Sequence, residues 1–135
     1  MNPAIIHIDV AVNQEDQDHR RTLLEVHEIA NPDRPGVSPI ARLAQCRSAL
    51  VRLVPALVEY VSAIEAWAPF SSDGSGLQSC TGELLSRIRE LRTVLQVVSG
   101  LLEEESSDNA RIERLCTYLR ICVEDWITCE ARATT

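Results

Sequence analysis

Five cysteines and three histidines are the side chains in this sequence able to act as a nucleophile–base pair or as soft metal ligands. The histidines are His7, His19 and His27, all near the N-terminus; the cysteines are Cys46, Cys80, Cys116, Cys122 and Cys129, all further along. A Cys–His site would therefore require the N-terminal arm to fold back onto the rest of the chain. No local signature of a cysteine nucleophile surrounds any of the five. No two cysteines have C-x-x-C spacing, and none has a histidine at zinc-finger distance. The count is odd, and residues 4–12 lack the basic flank and small-residue cleavage site of a secretory leader. The thiols are thus expected to be reduced, small core residues of an intracellular protein, cytoplasmic or nuclear and not secreted.

Carboxylates widen the range of candidate chemistry only slightly. His7, Asp9, Glu25 and His27 would meet if residues 4–12 and 20–30 paired as a hairpin, giving a His/carboxylate metal site. A polar, solvated sheet face explains the same residues more simply. No helical segment carries the His-x-x-x-His or Glu-x-x-His spacing of bundle metal sites. The acidic run Glu103–Glu104–Glu105 lacks the alternating ligands and turn glycine of a calcium loop. No metal, no cofactor and no catalytic residue is implied.

Arginine is the other chemically capable group. All thirteen basic residues are Arg, so chemistry that needs a lysine is excluded. A GC-rich coding sequence explains a lysine-free chain; selection against lysine modification would explain it too. Twenty acidic residues leave a net charge of −7, which argues against nucleic-acid and anionic-membrane partners. The densest basic cluster, Arg87, Arg89 and Arg92, is interrupted by Glu90 and has Glu83 one turn before it, the pattern of a solvated helix face. Arg47 differs because it falls on an otherwise apolar helical line. It is expected to snorkel to the edge, with an anionic ligand in an arginine-lined pocket between helices as the alternative.

These groups must be positioned by helices. At 135 residues the chain fits one compact domain, organised as an arm and Pro-rich linker over 1–37 and a helical bundle over 38–135. In residues 4–12, Ile6, Ile8, Val10 and Val12 alternate with polar residues as in a strand. Residues 20–30 have helical spacing at Leu23, Val26 and Ala30, but residues 22–29 would also serve as the second strand of a hairpin, and the hairpin is slightly favoured. Three prolines and a glycine in residues 31–39 break the chain.

Beyond them the helical period is strong. Ser38 and Pro39 form a cap and first-turn pair, followed by Leu43, Arg47, Leu50, Val54, Leu57, Val61 and Ile64, with Pro55 on the wet side. After a loop over 68–76, a second helix is expected from near Thr81, with Leu84, Ile88, Leu91, Leu95, Val98 and Leu102 inward. Ser106, Ser107 and Asp108 can cap a third, whose stripe is Ile112, Leu115, Leu119, Cys122, Trp126 and Cys129. The stretch from Ala49 to Ala68 is the most apolar, yet it carries Arg52, Glu59 and Glu65 and is no membrane span.

The expected fold is mainly α: an antiparallel bundle of three long amphipathic helices, the first kinked at proline, with an N-terminal β-strand or β-hairpin arm. Its stripes are broader than three helices need. The expected function is a non-enzymatic interaction or regulatory module that self-associates or docks on a protein partner through apolar helix surface; the alternative is a small helical enzyme or ligand-binding protein with an arginine-lined pocket between helices, in which Arg47 binds the ligand. Ile6, Ile8, Val10, Val12, Tyr60, Trp67 and Trp126 are the candidate interface residues of the module.

Overall fold

Residues 19–67 and 74–134 are described by the structure, a computed structural model. They form four helices: α1 over 19–29, α2 Pro39–Trp67, α3 Gly74–Glu103 and α4 Asn109–Thr134. There is no strand among the described residues. The expected hairpin arm is therefore corrected, because residues 20–29 are helical. The helix wins because it turns Leu23, Val26 and Ile29 together onto one buried face. A strand would alternate those residues between two faces and leave half of them in water. Residues 4–12, with Ile6, Ile8, Val10 and Val12, lie outside the described residues.

The fourth helix also accounts for the broad stripes. Leu23, Val26, Ile29 and Ala30 join a single core cluster with the inward residues of α2, α3 and α4. On α2 that face runs through Leu43, Cys46, Leu50, Leu53, Leu57, Tyr60 and Ile64, all buried. α3 packs on both α2 and α4, while α2 and α4 meet more sparingly. No helix among the described residues is long and apolar enough to cross a membrane.

Local chemistry sets the ends. Ser38 caps α2, its Oγ accepting from the Ala41 N–H at 3.2 Å, and Pro39 occupies the first turn, where no N–H is needed. Asp108 caps α4 by accepting from the Arg111 N–H at 3.1 Å. Helix α3 begins at Gly74, ahead of the expected start near Thr81. At its other end the Ser106 N–H reaches back to the Leu101 carbonyl and the Glu105 N–H to that of Leu102, a Schellman closure. Such a closure puts one residue in the left-handed region, usually a glycine. Here it is Glu105, at φ 51°.

That position combines backbone strain with a negative charge at the negative end of the helix dipole. Glu105→Gly is expected to stabilise the protein by about 0.5–1 kcal/mol, read as a raised urea midpoint at unchanged slope. An unchanged or lowered midpoint would count against the strain at this turn.

Candidate functional site

Two places concentrate polar chemistry. The first is interior, where α1, α2 and α4 meet. Glu130, 2% exposed, accepts from the Trp126 indole N–H at 3.0 Å and from Arg20 at 2.7 Å. His19, 1% exposed, lies 2.8 Å from the same oxygen that Trp126 engages. An ionised carboxylate can only accept, so His19 carries its proton on Nε2 there. The His19 ring stacks at a tilt on Tyr60, with centroids 4.2 Å apart, and meets Trp126 edge-on.

Both Glu130 oxygens are thus engaged by groups from α1 and from α4 itself. The cluster fastens α1 to the bundle, and its carboxylate is committed to that task. It also settles where Tyr60 and Trp126 lie: both are buried within this chain. The Trp67 side chain lies outside the described residues.

The second place is the outward face of α2. Ala44, Arg47, Ser48 and Val51 follow one another at helical spacing and are all exposed, Val51 to 54%. With Arg52 and with Leu102 of α3 they line a trough of about 580 Å³. A second trough of about 420 Å³ runs along the other flank between α1 and α2, lined by Glu25, Glu28, Ile29, Arg34, Gln45, Ser48 and Arg52. The two share Ser48 and Arg52, so they flank one ridge.

Arg52 is tied to Glu25 across the helices at 3.0 Å. Arg47 is exposed and makes no ion pair among the described residues. The helical line on which it sits turns outward by about one position, and Cys46 takes the inward place. Pro55 adds an acceptor: a proline has no N–H, so the Val51 carbonyl lacks its partner four residues on.

The considered metal set does not assemble. On a helix Glu25 and His27 point in different directions: Glu25 pairs with Arg52 of α2, while His27 lies 2.9 Å from Glu124 of α4. His7 and Asp9 lie outside the described residues. Among the described residues no group of three or more His, Cys, Asp or Glu is placed to hold a metal ion. The Arg87 cluster resolves into a seam: Arg87 sits among Glu83, Glu90 and Asp125, and Arg132 of α4 reaches Glu83 at 3.0 Å.

Two buried charged residues were not singled out by periodicity, Arg42 and Glu130. Glu130 follows Trp126 by one turn, a spacing that hands an indole N–H its acceptor. Arg42 precedes Cys46 by one turn on the inward face of α2. No protein-family model, curated protein or solved structure matches the chain.

Proposed function

We propose that the protein is a non-enzymatic interaction module whose α2 outer face docks an acidic, amphipathic helix of a partner protein. The observation that carries this is the trough of Ala44, Ser48 and Val51, with Arg47 at its side making no ion pair among the described residues. Small residues let another backbone approach closely, Val51 and Leu102 give apolar contact, and Arg47 offers a planar fork to a carboxylate. On a chain of net charge −7 this is a local cationic exception, and such a patch steers acidic partners.

A second copy of the chain suits this face less well. A two-fold dimer sets a patch against itself, and this patch holds Arg47 and Arg52 but no carboxylate to receive them from the other copy. A small anion is the second reading, favoured by the convergence of Arg47, Ser48 and Arg52 on the same trough.

The test is a titration with a fluorescent helical peptide of roughly 20 residues, leucines on one face and glutamates beside them. Saturable binding that falls at least tenfold with Arg47→Glu is expected, with thermal stability unchanged within about 0.5 kcal/mol, as for a surface site. Binding that ignores Arg47→Glu removes this face from consideration. Citrate competing at the same site without peptide binding would favour the small anion. A light-scattering mass of twice the monomer, lost with Arg47→Glu, would favour the homodimer.

A further inference from the structure

Helix α1 begins at a fixed point. The His19 ring lies on Tyr60 of α2 and reaches Glu130 of α4 at 2.8 Å. From there α1 runs back along α2, so that Glu25 meets Arg52 at 3.0 Å. Residues 1–18 therefore join the bundle beside Tyr60, on the helix that carries the trough of Ala44, Arg47, Ser48 and Val51.

The trough is within reach of those residues. Tyr60 and Val51 are nine residues apart on α2, which is about 14 Å along the axis. Passing from the inward to the outward side of a helix adds about 10 Å across, for a path of about 17 Å. Residues 13–18 can span up to about 20 Å. Val12 can thus stand beside Val51, and residues 4–12 then have the whole trough in range, since Ala44 lies only about 10 Å beyond.

The chemistry matches as well. Residues 4–12 contain Ile5, Ile6, Ile8, Val10 and Val12 with one carboxylate, Asp9, and Glu15, Asp16 and Asp18 follow. No arginine precedes Arg20. The segment is apolar and acidic, which is the character argued above for an occupant of this face. On the other side Val51 is 54% exposed, Leu102 adds apolar surface, and Arg47 makes no ion pair among the described residues.

We propose that residues 4–12 of the same chain occupy the α2 trough, with Asp9 in reach of Arg47, and that a partner must displace them. This occlusion rests on the face being the docking surface proposed above and adds its regulation. A short tether holds the segment at an effective concentration on the order of 1 mM, so that even a weak contact with a Kd of about 0.1 mM covers the trough roughly nine-tenths of the time. A competing partner then binds roughly tenfold more weakly than it would bind the bare face. A second copy, offering the same segment at about micromolar concentration, competes poorly with the tethered one.

Photochemical cross-linking in the full chain tests the contact. Val51→benzoylphenylalanine places the probe in the trough, and cleavage at arginine then separates residues 48–52 from residues 1–20. The expected product has the mass of one chain and yields 48–52 joined to 1–20. Two chains joined through these peptides, or 48–52 joined only to other parts of the chain or to nothing, would overturn the proposal.

A second measurement separates occlusion from docking. In the full chain, Ile6→Ser combined with Ile8→Ser is expected to bind the leucine–glutamate peptide roughly tenfold more tightly than the unsubstituted chain does. Equal affinity in both chains overturns the occlusion and leaves the docking reading standing. Binding by neither chain overturns the docking reading and the occlusion with it.

Discussion

Glu130→Ala is expected to cost about 3–5 kcal/mol, lowering the melting temperature by roughly 10–20 °C. The carboxylate is buried and receives the Trp126 indole, the Arg20 guanidinium and the His19 ring. Removing it strands a buried indole N–H and a buried imidazole N–H in an apolar interior, where each unsatisfied donor costs about 1–3 kcal/mol. Glu130→Gln should fall between the two, since its amide oxygen can serve only some of those donors. Arg20→Ala should cost little, because the Arg20 side chain is 51% exposed and its pairing is screened by water. Thermal melts of the three variants give the order directly. A Glu130→Ala loss below about 1 kcal/mol would mean that α1 is held by something other than this carboxylate.

Leu57→Ala is the second large effect, at about 2–5 kcal/mol. Leu57 has no exposed surface and lies in the single core cluster, so truncation leaves a cavity that four packed helices close only in part. Val51, one and a half turns earlier on the same helix, is 54% exposed; Val51→Ala should change stability by less than about 0.5 kcal/mol. The contrast separates inward from outward faces of α2. A similar cost for both in urea titrations would mean that a second chain covers Val51.

Most of the helical framework was legible from residue order. Ser38 with Pro39 and Asp108 announce the starts of α2 and α4, and Leu84, Ile88, Leu91 and Val98 mark the buried line of α3. Residues 20–29 were the failure. Leu23, Val26 and Ile29 fit a short helix, but three β-branched residues, Thr22, Val26 and Ile29, and a strand-like neighbour at 4–12 fit a hairpin equally well. What decides between them is tertiary: an empty groove between α2 and α4 that a helix fills, and a buried acceptor, Glu130, that His19 and Arg20 reach from its first turn.

Arg47 and Arg42 show a second limit. A heptad-like step places Arg47 on the inward line, but a stripe as wide as that of α2 has no sharp centre, and a shift of one position exchanges Arg47 for Cys46. The same shift buries Arg42, which no periodicity argument favours because burying a guanidinium is costly. Pairs brought together only by packing, such as His19 with Glu130, leave no trace in spacing.

The assignment of the outer face of α2 as the working surface can be tested by amide chemical-shift mapping while the acidic amphipathic peptide is added. Shifts confined to residues 44–52 and Leu102, absent in Arg47→Glu, are expected. Shifts centred instead on the Trp126 indole and the surroundings of Tyr60, or no shifts at saturating peptide, would contradict it.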